Sequence, residues 1–220
     1  MLATIAMWLN ASPMLKRAAT HTRYTARKLR AVAHHEAGHA VIAHLMGIPF
    51  KSILVDHQPF TDVFGRPALG TIIFDREWPD WAIPCKPSFD RKRARDYAAR
   101  DVRMTLAGPL AETLFTRCWQ DLPMNEGDDE FMAFEVAELL YSQRKTQHQW
   151  VNRLRFQTLE LLMRPDVWAA VEALATALVQ HQMLNARQAC HVIRQSRTSA
   201  AILASASRPH WIDQNKVDNT

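Results

Sequence analysis

Two histidines four residues apart, with a glutamate directly after the first, are the residues of this chain whose types and spacing suit chemistry: His35-Glu36-Ala37-Gly38-His39. On an α-helix, positions four apart lie one above the other. His35 and His39 can therefore offer ring nitrogens to one metal ion, while Glu36 stands beside it as a base for a water molecule. Two neutral imidazoles plus one carboxylate would leave a zinc ion one open position, where the pKa of water falls from 15.7 toward about 7. The expected centre is one zinc ion with His35 and His39 as ligands and Glu36 as catalytic base. The bland alternative, two core histidines satisfied by hydrogen bonds, must account for a carboxylate set between them on an apolar helix.

A helix must position the pair. Val32, His35, His39, Ile42 and Met46 share one 3.6-period face, which turns both histidines inward, and Gly47 is placed to end the helix. The period then changes: Ile48 to Val55 and Ala68 to Phe74 read as short strands around a loop bearing Pro and Gly. Residues 75–87 hold Trp78, Trp81, Pro79, Pro84 and Pro87, so they read as irregular, with the tryptophans as anchors rather than a lid. A long helix is expected from an N-cap at Ser88 to about Trp119, kinked at Pro109, followed by helices over 130–143, 150–163 and 165–181. The fold class that follows is mainly α (α+β), a helical domain with a small hairpin or sheet.

The run Val32-Ala33-His34-His35-Glu36-Ala37-Gly38-His39-Ala40-Val41 resembles the metal-binding helix of the FtsH-type zinc metalloproteases, the peptidase half of the membrane-bound AAA+ proteases. Further segments are similar to that family. Ala68-Leu69-Gly70 matches its Ala-Leu-Gly turn, and Leu106-Ala107-Gly108-Pro109-Leu110-Ala111-Glu112 matches its Ala-Gly-x-x-Ala-Glu segment, whose Gly lets two helices approach closely. Asp129, Ala133 and Ala137 hold the spacing of its Asn-Asp segment, with Asp128 in place of Asn. Trp168 to Ala175 and Leu184 to Ala189 resemble its closing helices. The resemblance covers about residues 27–195 and only the peptidase part, because no G-x-x-x-x-G-K-[ST] phosphate loop occurs.

This resemblance implies a zinc metalloendopeptidase acting on unfolded polypeptide, with Asp129 as third ligand and homo-oligomers or a separate ATPase as partners. It also implies that the edge strand Thr71, Ile72, Ile73 and Phe74 docks the substrate backbone, a capped edge being the alternative. Helical register supports Asp129, which shares a stripe with Met132, Ala133, Val136 and Leu140 and would need a cation in the core. Simple capping of the next helix by Asp128 or Asp129 is the competing reading. Glu112, four residues after Gly108, is a candidate to orient a ligand histidine; direct metal binding and a plain surface glutamate stay open. An idle peptide- or protease-binding module on the same fold is the alternative function.

At 220 residues and 48% hydrophobic, the chain can bury one substantial core. Its expected divisions are a basic leader at 1–26, the peptidase-like domain at 27–197 and a disordered polar tail at 198–220. The net charge of +5 is concentrated toward the N-terminal end, where Lys16, Arg17, Arg23, Arg27, Lys28 and Arg30 precede Glu36, the first acidic residue. The leader is read as a solvated approach rather than a nucleic-acid-binding arm, with peripheral contact to an anionic membrane as a further possibility. No run approaches the ~20 apolar residues that span a bilayer. Cys85, Cys118 and Cys190 are widely spaced with no Cys-x-x-Cys pair, which suggests a reducing, cytoplasmic compartment.

Overall fold

A computed structural model of the chain describes residues 26–61, 67–75, 78–83, 86–118 and 128–206. Residues 1–25 of the basic leader, Asn125 to Gly127, the Trp81 side chain and residues 207–220 of the tail lie outside what is described. Six helices and three strands follow in order: α1 (Ala26–Met46), β1 (Phe50–Thr61), β2 (Pro67–Phe74), α2 (Arg91–Thr116), α3 (Asp129–Leu140), α4 (Arg144–Leu162), α5 (Pro165–His181), β3 (Met183–Asn185) and α6 (Ala186–Ala206), with one 3-10 turn at Asp80–Ala82. The fold is mainly helical with a small antiparallel sheet, as the periodicities suggest.

Helix α1 is the centre of the packing. Every residue from Glu36 to Ala43 is buried, so the single apolar stripe read from the sequence is in fact burial on all sides. The reason is that α2, α5 and the sheet pack around it. Small side chains allow the closest of these contacts: a Cβ on Gly38 would stand 2.5 Å from the Ala107 carbonyl oxygen and 2.6 Å from the Ala111 Cβ of α2. Gly47 ends α1 in the left-handed region at φ 69°, and the amide of Ile48 donates back to the Ala43 carbonyl at 2.8 Å.

The sheet has the order β2-β1-β3, with β1 antiparallel to both neighbours. Strand β1 is longer than expected, because Phe60 and Thr61 pair again with Ala68 and Pro67 after a break in register beyond Val55. Buried Phe60 anchors that second pairing. The third strand falls in a stretch read as a turn and helix start; Met183–Asn185 is short, and only the placement of Leu184 opposite Ile53 makes it a strand.

Several helix ends also move, among them that of α3, which stops at Leu140 rather than 143. Asp90, not Ser88, caps α2, its carboxylate accepting from the amides of Lys92 and Arg93 at 3.0 Å each, because two free amides meet an acceptor there. The helix continues through Pro109 and stops at Thr116, where Arg117 turns left-handed. Helix α6 runs to Ala206, so residues 198–206 are helical and not part of an irregular tail. Helix α4 starts at Arg144, one and a half turns before Trp150, since its polar first turns lack the apolar signal used to find it. Among the described residues no helix is long and apolar enough to cross a membrane.

Candidate metal centre

The sequence-separated groups meet where α1, α2 and α3 converge. His35 and His39 come from the middle of α1, and Asp129 from the first turn of α3; one ligand atom from each lies within 4.8 Å of the others. Asp129 Oδ2 is 2.9 Å from His35 Nε2 and 3.4 Å from His39 Nε2. Asp129 is mostly shielded, at 19% side-chain exposure, and Met132, Ala133, Val136 and Leu140 on its stripe are buried. Asp128 occupies the N-cap position but makes no capping side-chain bond, which disfavours capping as the reason for the acidic pair.

The opposite edges of both imidazoles are engaged by the protein. His39 Nδ1 donates to the Met104 carbonyl of α2 at 2.8 Å, and His35 Nδ1 pairs with Glu112 Oε2 at 3.0 Å. A carbonyl only accepts, so His39 Nδ1 is the donor there, and Nε2 is the ring nitrogen that faces Asp129. Glu112 accepts from His35 Nδ1 in the same way and so turns the Nε2 edge of that ring toward Asp129. Glu112 thus stands behind His35, on the edge away from the convergence of candidate donor atoms, rather than among them.

A glycine makes the convergence sterically feasible. A Cβ at Gly108 of α2 would fall on His39 Nε2, 2.5 Å from His39 Cε1 and 2.7 Å from His35 Nε2. Gly70 of β2 clears space in the same way for the base, since its Cβ would lie 2.7 Å from both Cγ and Oε1 of Glu36. The sequence reading recognised Gly108 as a close approach but missed the Met104 carbonyl, because a backbone acceptor leaves no signature in residue type.

Electrostatics of the metal-free cluster follow from this packing. Burial works to lower the His35 pKa, but hydrogen bonds to Asp129 and Glu112 and the negative charges nearby outweigh it, and the pKa stands well above 6.5. Burial likewise opposes ionisation of Asp129, yet the two imidazoles hold its carboxyl far below the usual range. Glu112 is held low chiefly by its bond to His35. Glu36, 7% exposed, is pushed up by burial, which exceeds the opposing influence of the histidines.

The donor set fits zinc. Two imidazole nitrogens and one carboxylate oxygen are borderline-soft and hard donors of the kind zinc accepts, and bonds of about 2.0–2.2 Å place neighbouring tetrahedral ligand atoms roughly 3.3 Å apart. The observed Nε2–Oδ2 separations bracket that spacing. His34, beside the motif, takes no part: it stacks on Phe115 with centroids 3.9 Å apart, and Nδ1 donates to the Arg30 carbonyl.

The expected docking strand lies beside this cluster. Thr71, Ile72, Ile73 and Phe74 sit in β2, half-buried, opposite Leu54, Ile53, Ser52 and Phe50 of β1. Strand β2 has no strand partner on its other side among the described residues. No protein-family model matches the chain, and no curated protein matches it.

Proposed function

We propose that this chain is a zinc-dependent endopeptidase that hydrolyses peptide bonds of extended or unfolded polypeptide. The observation that supports this reading most is the fixed orientation of both imidazoles, with Nδ1 held by Met104 and Glu112 and both Nε2 atoms turned toward Asp129, next to buried Glu36 in the same motif. A structural site has no use for a buried base at its edge. Bound zinc would supply Lewis acidity, polarising the scissile carbonyl and acidifying a water molecule.

The chain's own residues would do the rest. Glu36 takes the proton of the attacking water onto its carboxylate and returns it to the leaving amine, and the burial that raises its pKa suits it to hold that proton. Glu112 and the Met104 carbonyl keep the ligand rings from rotating. The side of β2 away from β1, where no strand pairs among the described residues, would take a peptide laid as a fourth strand, with Gly70 bringing β2 against Glu36. The resemblance to the FtsH peptidases adds assembly into homo-oligomers or beside an ATPase, and the free thiols of Cys118 and Cys190 suit the cytoplasm.

Zinc content and casein hydrolysis without ATP, measured for wild type beside Glu36→Gln and Asp129→Ala, test the proposal. About one zinc per chain is expected, with Glu36→Gln keeping the metal and losing cleavage, and Asp129→Ala losing the metal. Zinc binding without cleavage by wild type would favour a peptide-binding module. A wild-type protein that takes up no zinc would sink the proposal.

A further inference from the structure

The two imidazoles and the base beside them are held in different ways. Each ring is oriented by a hydrogen bond to α2, His39 by the Met104 carbonyl and His35 by Glu112. Among the described residues the buried Glu36 carboxylate makes no hydrogen bond or ion pair. Packing must therefore fix its rotamer, and the close packing comes from β2. Gly70 lies opposite buried Val55, on the face of the sheet that meets α1. A Cβ at Gly70 would stand 2.7 Å from Glu36 Cγ, from Glu36 Oε1 and from Val32 Cγ1. Val32 and Glu36 are one helical turn apart, so their side chains lie side by side on the surface of α1 that β2 covers.

None of the groups at this contact yields easily. Cγ is the second carbon of the Glu36 side chain, close to the helix backbone, so moving it swings the whole carboxylate. Val32 is β-branched and is confined to essentially one rotamer in a helix. Gly70 is tied into the sheet through Val55, whose amide donates to the Gln182 carbonyl at 2.7 Å. At an unhindered strand position alanine would serve as well as glycine or better, since glycine loses more conformational entropy on folding. Here the absent Cβ is the room in which the base stands.

We infer that Gly70 is a positioning residue for the base: its bare Cα fixes where the Glu36 carboxylate stands, and Val32 closes off the neighbouring space. The inference rests on the endopeptidase reading. Its consequence is that one strand sets two positions. A peptide would pair along the edge of β2 away from β1, while the inner face of the same strand confines Glu36. The separation between a docked scissile bond and the base then follows from the geometry of β2, and a misplacement of about 1 Å there costs about 100-fold in rate.

The test compares the full chain loaded with zinc as wild type, Gly70→Ala, Val32→Ala and the double variant Gly70→Ala/Val32→Ala, using an internally quenched fluorescent peptide. Gly70→Ala should keep its zinc and lose about 100-fold in kcat, with KM within about threefold of wild type. Val32→Ala, which leaves Gly70 against Glu36, should lower kcat less. The double variant should regain stability in urea, because one crowded neighbour is gone, without regaining kcat, because the new methyl still meets Glu36 Cγ. A kcat that recovers together with stability would show a merely structural glycine and overturn the inference, as would a Gly70→Ala that cleaves like wild type.

A second measurement needs neither metal nor activity. In urea denaturation of the metal-free protein, Gly70→Ala should lower the ratio of folded to unfolded chains about tenfold when residue 36 is glutamate, and by about threefold or less in Glu36→Ala. Where Gly70→Ala alone is too unstable to measure, the same cycle is run in the Val32→Ala background. Equal losses in the two backgrounds would sink the placement of Glu36 by Gly70. A wild type that cleaves nothing would instead sink the endopeptidase reading, so the two failures are distinguishable.

Discussion

Helix α1 against α2 and helix α5 against α6 are both well-packed helix pairs, yet they are built from different materials. The first uses Gly38, Gly108, Ala107 and Ala111, so backbones and the imidazoles of His35 and His39 come together with no side chain between them. The second uses Val171, Leu174, Leu178 and Ile193, fully buried, with an Arg197–Asp166 ion pair of 2.9 Å at its rim. Large aliphatic side chains repack when one is changed, whereas a helix pair at glycine distance has nothing to move but its backbone. The contrast separates an interface that sets atomic positions from one that supplies cohesion.

Gly108→Ala should break the first interface most severely. Its methyl would overlap His39 Nε2, a position the Met104 bond prevents the ring from vacating, so zinc uptake should fall below detection by calorimetry even where the circular dichroism stays helical. If Gly108→Ala binds zinc like wild type, the idea that α2 positions the ligands is wrong. Leu174→Ala should cost about 2–5 kcal/mol of stability in urea denaturation while the folded fraction keeps its zinc affinity. Loss of affinity there, with the fold intact, would erase the distinction between the two interfaces.

Smaller effects sharpen it further. Glu112→Gln keeps the shape but removes the charge behind His35, and zinc affinity should drop roughly 10–100-fold. Because the metal-free His35 holds its proton well above 6.5, that proton competes with zinc, and wild-type affinity should rise with pH through the raised value. In Glu112→Gln this rise should shift to lower pH, as one of the groups raising the His35 pKa is gone. A competition assay with a zinc-binding dye across pH 5–9 reads both.

The rim pair of α5 and α6 should matter least. Burial opposes ionisation of Asp166, but the hydrogen bonds of Arg197 and Arg164 outweigh it and lower the pKa. A lowered folded-state pKa contributes stability that is present above the unfolded value near 3.8 and is lost as pH falls through the folded value. Asp166→Asn should therefore cost under about 1 kcal/mol at pH 7, since the pair is solvent-screened, and nothing at very low pH. Urea titrations at the two pH values compare them directly.

Legibility in the sequence followed the range of the interaction. Helix α5, with Pro165 at its start and His181 at its end, was readable to the residue because its period and its first-turn proline are local signals. Strand β3 was not, because three residues carry too little pattern and their pairing with Ser52 to Leu54 spans most of the chain. The run Val32 to Met46 showed a stripe but not burial on every side, since what covers its other faces comes from α2, α5 and the sheet.

At the candidate centre the division is the same. Sequence alone determined that His35 and His39 share a helical face with Glu36 between them, because helical geometry places residues four apart side by side whatever else the chain does. It also nominated Asp129 and Glu112, though with alternatives left standing for each. Only the tertiary structure decided where each lies, bringing Asp129 to the Nε2 edge and Glu112 to the Nδ1 edge of the same ring. It alone decided the histidine orientation as well, because the Met104 carbonyl that holds His39 is a backbone atom common to every residue, and its role comes entirely from where α2 is packed.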